Sequence, residues 1–146
     1  MPTRKLSKAD FEILANFRYR LRRFLRFSEE VTRRHGVTPL QYQLMLQVKG
    51  FPGRDWASVS ELAERLQAKH HGVVALVSRC EAAGWVTRSA SESDQRRVEV
   101  RLSAAGLRCV EHLARLHREE LRSVAGEFVV PGLTGAGTGR RVTPPG

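Results

Sequence analysis

The chain has 146 residues, 41% hydrophobic and 27% charged, enough for one domain with a packed core or a small head with an oligomerisation element. Lys and Arg number 25 against 15 Asp and Glu, and the net charge of +10 favours a polyanionic partner, nucleic acid or an anionic membrane surface. No apolar run approaches the ~18 residues of a spanning helix, the N-terminal MPTRKLSKADF contains no signal-peptide core, and Cys80 and Cys109 make neither a disulfide framework nor a metal-ligand spacing, so a cytoplasmic chain with no membrane partner is expected.

Ser7 followed by Asp10 predicts a helix start, a hydroxyl cap with an acid in the first turn. Phe11, Leu14, Phe17, Leu21, Phe24 and Val31 then hold one helical face until His35-Gly36, where glycine can take the left-handed position after the cap. Arg18, Arg20, Arg22, Arg23 and Arg26 fill much of the remainder. A solvated face beside a dimer seam accounts for them more simply than phosphate contact. Thr38 caps and Pro39 opens a second helix, with Leu40, Leu44, Met45 and Val48 as its buried face and Gly50-Phe51-Pro52-Gly53 as its stop.

Ala57-Ser58-Val59 reads as a short strand, and Ser60 as the cap of a helix carrying Leu62, Ala63 and Leu66. Gln67-Ala68-Lys69 links it to a second helix, His70 to Ala83, with Val73, Leu76, Val77 and Cys80 buried and Gly84 at its end. Two short helices with a tight link are what a helix-turn-helix requires, and the second offers its first turns to a major groove. Lys69, His70, His71, Val74 and Ser78 face outward there. Neighbouring histidines point about 100° apart, so groove contact suits His70 and His71 better than a shared metal; a solvated surface is the plain alternative.

Trp85-Val86-Thr87-Arg88 and the alternating Val98, Val100 and Leu102 predict two strands around a polar loop, a hairpin that forms a wing. Arg88, Asp94, Arg96 and Arg97 are its candidate DNA-binding residues. Arginines at a wing tip suit a narrow minor groove, and the Asp94 carboxylate is placed to pre-orient the Arg96 guanidinium. Ser103 caps a last long helix with Leu107, Val110, Leu113, Leu121 and Val124 on its apolar face and Leu116 at the flank. Beyond it Gly and Pro dominate, so no regular helix is expected. Gly135-Ala-Gly137-Thr-Gly139 mimics a phosphate loop but has no βαβ unit around it.

The runs Ser60-Glu-Leu-Ala-Glu-Arg-Leu66, Val73 to Gly84-Trp-Val-Thr-Arg88, Asp94-Gln-Arg-Arg97 and Leu102-Ser-Ala-Ala-Gly106 together resemble the MarR family over about residues 7 to 125. The resemblance implies a mainly α fold with a small β-wing: a winged helix-turn-helix flanked by dimerisation helices. The regions are then 1–36 (N-terminal dimerisation helix), 37–102 (DNA-binding domain), 103–127 (C-terminal dimerisation helix) and 128–146 (irregular tail). It further implies a homodimer with recognition helices in successive major grooves, Arg96 as the minor-groove residue, Asp94 as its support and Arg97 as a secondary contact. Cys80 stands where the family usually has leucine, which points to burial. No cysteine lies near the N-terminus, where some relatives sense oxidants.

The expected function is sequence-specific binding of a pseudo-palindromic operator on double-stranded DNA, as a ligand-responsive repressor. The alternative is an architectural or protein-interaction module without operator specificity. A small aromatic effector would sit where the dimer helices meet the DNA-binding lobe, near Phe24, His35, Tyr42 and Met45, though such stripes more often pack as core. No nucleophile–base–acid set, HExxH motif or supported phosphate loop is present, so no enzyme, cofactor or metal is expected.

Overall fold

Hydroxyl caps start four of the helices, and their positions set the layout. The computed structural model describes residues 3–126 apart from residue 95. In chain order these form α1 (Lys8–Arg34), α2 (Pro39–Lys49), β1 (Trp56–Ser58), α3 (Val59–Leu66), α4 (His70–Ala82), β2 (Val86–Ala90), β3 (Val98–Leu102) and α5 (Ala104–Ser123). Reciprocal capping boxes open three helices: Ser7 with Asp10 at α1, Thr38 with Gln41 at α2, and Ser58 with Glu61 at α3. The expected cap at Ser60 is therefore two residues late. The glutamate that must return to the cap backbone is Glu61, three residues after Ser58, and β1 correspondingly ends at Ser58.

The ends follow equally local rules. After α1, Gly36 takes φ +73, its N–H donates to the Arg33 carbonyl, and the Val37 N–H donates to the Thr32 carbonyl. The same pair of bonds closes α4, from Gly84 (φ +83) to Glu81 and from Trp85 to Cys80.

The strands form an antiparallel sheet in the order β1-β3-β2, with Ala57 opposite Val100 and Val86 opposite Leu102. The core lies where α2, α3, α4 and α5 cover this sheet. Leu44, Met45, Val48, Leu62, Val73, Val77, Cys80, Val100, Val110 and Leu113 are buried there, with Val31 from the end of α1. One expectation about a buried face fails. Leu40 is 51% exposed and Tyr42 is buried in its place, because α2 turns the Tyr42–Met45 face toward α5. Along α1 only Val31 and Thr32 are buried; Phe11 is 55% exposed and Leu14 is exposed too, because the N-terminal half of α1 reaches past the core. None of the helices described is long and apolar enough to cross a membrane. The residues expected to form the irregular tail, 128–146, lie outside the described residues.

Candidate nucleic-acid interface

The helix pair is held at its turn by backbone bonds. Gln67 adopts a left-handed conformation (φ 51), its N–H donating to Glu64 and that of Ala68 to the Ala63 carbonyl. This turns the chain so that α4 buries Val73, Leu76, Val77 and Cys80. By the helical period His70, His71, Val74 and Ser78 must then face outward, and all four are exposed, as is Lys69. Lys69 is the cap residue of α4 and makes no side-chain cap bond, so the first-turn N–H groups remain available to water or an anion.

The wing tip is shaped by Asp94. Its Oδ1 accepts the Arg96 N–H at 3.0 Å, and its carbonyl accepts the Arg97 N–H at 3.0 Å. The Ser91 N–H closes the loop onto the Arg97 carbonyl at 2.9 Å. The expected role of Asp94 is thus corrected: the carboxylate bonds the Arg96 backbone, not its guanidinium, because a residue two positions on presents its N–H to an aspartate in a turn. Neither Arg96 nor Arg97 is ion-paired among the described residues, and both are exposed.

Arg88 differs. Its guanidinium bonds Glu81 at 3.0 Å and its N–H reaches the same carboxylate at 3.2 Å, which ties β2 to α4. The Arg88 side-chain bond is the main reason the Glu81 carboxyl is held below its ordinary range. Between helix and wing lies an open groove of about 520 Å³, bordered by Ser60, His70, Val74, Arg88, Asp94, Arg96 and Arg97. The structure therefore brings His70 and Val74 together with all four wing residues, while His71 and Ser78 lie farther round α4.

Where the wing loop runs into β3, the Arg97 guanidinium lies 4.8 Å from the centre of the Trp56 ring. Arg54 lies 3.8 Å from the same ring and pairs with Glu61. Arg54 and Trp56 were not among the expected site residues. Their signal in the sequence is faint: a charged and an aromatic residue in a loop that periodicity reads only as a break.

The four residues proposed for an effector are dispersed. Phe24 and Tyr42 both meet His117 of α5, at 6.0 Å edge-on and 4.4 Å stacked. His117 Nε2 bonds Ser28 Oγ at 2.8 Å, and its Nδ1 bonds the Leu113 carbonyl at 2.7 Å. His35 instead meets His112, Nε2 to Nε2 at 3.1 Å, while its Nδ1 donates to the Val31 carbonyl. Met45 is wholly buried in the core. The cavity that Phe24 borders holds about 20 Å³, against the ~300–1,000 Å³ of a small-molecule site. His117 was overlooked, yet it continues the α5 stripe of Val110 and Leu113 at helical spacing.

Burial pushes the Tyr42 hydroxyl up to about 12 and the Cys80 thiol up to about 11, the latter against the pull of Arg79. Cys109 is also raised by burial, so both cysteines stay protonated at neutral pH. No group of three or more potential metal ligands occurs among the described residues.

Comparison with known proteins agrees with this geometry. Residues 35–97 match the MarR family. The chain is 29% identical over 99 residues to a putative transcriptional regulatory protein for the hcr operon of Thauera aromatica, covering 68% of this chain and 56% of that protein, so it spans little more than half of that relative's length. Its fold is similar to that of AbsC, a MarR family transcriptional regulator from Streptomyces coelicolor, with a TM-score of 0.73 and 22% identity over 88% of this chain and 86% of that one. It is similar also to a MarR family protein from Bacillus stearothermophilus, at TM-score 0.73 and 21% identity over 86% of each chain. A mutant MepR of S. aureus bound to an oligodeoxyribonucleotide shares the fold at TM-score 0.63 and 16% identity over 84% of each chain. With residues 35–97, from α2 through the wing loop, matched to the MarR family in sequence and the fold around them matched over most of the chain, this protein is similar to MarR family regulators in both sequence and fold.

Proposed function

We propose that this chain is a transcriptional regulator that binds a pseudo-palindromic DNA operator as a homodimer. The observation that carries the reading is the groove between α4 and the wing, where exposed His70 and Val74 stand beside Arg96 and Arg97, which have no carboxylate partner among the described residues. The net charge of +10 adds a sequence-independent attraction to the phosphate backbone. The MepR structure, with an oligodeoxyribonucleotide bound, supports the same use of the fold. The recognition helix takes the major groove and the wing the flanking minor groove, and promoter occupancy makes the regulator a repressor. A small aromatic ligand would act by opening the cluster of Phe24, Tyr42 and His117, which is closed in the single chain. A DNA-bound role places the protein in the cytoplasm.

The second copy is supported by the faces the fold leaves bare. Leu6, Phe11, Leu14 and Leu121 are exposed at the outer ends of α1 and α5, where no other element described covers them. Two such copies set the recognition helices one DNA turn apart, about 34 Å. Sedimentation is expected to give a dimer at micromolar concentration, and Phe11→Glu is expected to shift it toward monomer. A native monomer at that concentration would refute the dimer.

The direct test of function is binding of purified protein to its promoter-proximal DNA and to a scrambled duplex across a salt series. Operator binding near 10⁻⁸ M that survives physiological salt is the expected result. Equal and steeply salt-dependent binding to both duplexes would leave only non-specific attraction.

A further inference from the structure

We propose that Trp56 is a positioning residue that holds Arg97 for a DNA phosphate, with Arg54 as the second guanidinium on the same ring. The inference rests on the DNA-binding reading above and adds to it a residue outside both the recognition helix and the wing. Trp56 opens β1, which is hydrogen-bonded to β3, the strand that Arg97 precedes. The two guanidinium carbons lie 3.8 Å (Arg54) and 4.8 Å (Arg97) from the ring centre.

The two arginines are not equivalent. Arg54 is fixed on several sides: it pairs with Glu61 and lies 4.2 Å from the Phe51 ring. Arg97 has the indole but no carboxylate among the described residues, and it borders the groove beside Arg96 and His70. Stacking occupies the flat face of a guanidinium and leaves its N–H edge free, the edge that grips two phosphate oxygens at once. A side chain already laid against a ring loses less freedom when it binds.

Charge balance points the same way. Glu61 is taken by Arg54, and Glu99 by Arg101 at 2.9 Å, so the cluster keeps an excess positive charge. The Arg54 proton is held less tightly than usual, first through burial and then through the neighbouring Arg97, with Glu99 opposing. An anion at the Arg97 edge offsets this repulsion. The indole holds the Arg97 guanidinium against β1, so a phosphate at the sheet surface suits it better than a base edge deep in a groove.

A phosphate contact acts on any sequence, so the test needs no known operator. Fluorescence anisotropy measures binding of a mixed-sequence 30-base-pair duplex from about 50 to 200 mM salt. The proteins are native, Trp56→Leu, Trp56→Phe, Arg97→Gln and the Trp56→Leu/Arg97→Gln double variant. Trp56→Leu and Arg97→Gln are each expected to weaken binding about fivefold and to lower the salt slope by about one. The double variant is expected to be no weaker than Arg97→Gln alone. Trp56→Phe, which keeps an aromatic face, is expected to lose less, and it carries the comparison with Arg97→Gln if Trp56→Leu melts early. Native affinity and slope in Trp56→Leu, or a loss that adds fully to that of Arg97→Gln, would overturn the positioning role and leave the DNA-binding reading intact. A native protein that binds no duplex even at low salt would overturn that reading itself.

Discussion

Gly106→Ala is expected to cost the fold about 3 kcal/mol, the upper end of ordinary overpacking. A β-carbon built on Gly106 would lie 2.0 Å from the Trp85 carbonyl oxygen and 2.9 Å from its carbon, and the obstacle is backbone rather than a side chain that can swing away. To make room α5 must slide, and three bonds anchor its start. The Ser103 N–H donates to the Trp85 carbonyl at 3.0 Å, the Ser103 hydroxyl donates to the Gly84 carbonyl at 2.6 Å, and the Gly106 N–H donates to the same hydroxyl at 3.0 Å. Denaturant unfolding of the variant measures the cost. A midpoint equal to that of the native protein would mean that α5 is not seated on residues 84–85 as described. Gly72→Ala is the control: nothing lies within 4 Å of its added carbon, so helix propensity alone should stabilise the variant by about 0.5–1 kcal/mol.

Arg96→Ala carries the largest expected effect on binding, a loss of about 1–3 kcal/mol at the operator, the size of one good groove contact. Arg96 is exposed, has no carboxylate partner among the described residues, and is presented by a loop that closes from Ser91 to Arg97. Asp94→Ala should cost less, about 1 kcal/mol, because it removes one backbone hydrogen bond and leaves the guanidinium in place. Competition titrations against operator and scrambled DNA separate the two variants. An unchanged operator affinity in Arg96→Ala would remove the wing from the mechanism. Equal losses in both variants would mean that loop shape, not the guanidinium, is what DNA reads.

How legible the protein was depended on the range of the interactions. The helix starts at Ser7, Thr38 and Ser103, the left-handed glycines 36 and 84, and the buried face of α4 all follow from residues within one or two turns of one another. They were readable for that reason. The start of α3 falls at Ser58 and not at the expected Ser60 because only Ser58 has a glutamate three residues on. The outward set on α4 was legible as the complement of the buried set, and the wing as two alternating strands around a polar loop.

What the sequence determined by itself was thus the order of elements, the outward face of α4 and the basic character of the chain, because caps, periodicity and charge are local or additive. Tertiary structure alone decided the rest. It set Leu40 outside and Tyr42 inside, since only the approach of α5 selects which side of α2 is covered. It brought His117 to Tyr42, Phe24 and Ser28 across the gap between α1 and α5. It laid Arg54 and Arg97, far apart in the chain, against one indole. Those contacts join residues whose sequence separation carries no periodic signal; the energy that selects them appears only when the strands and helices have docked.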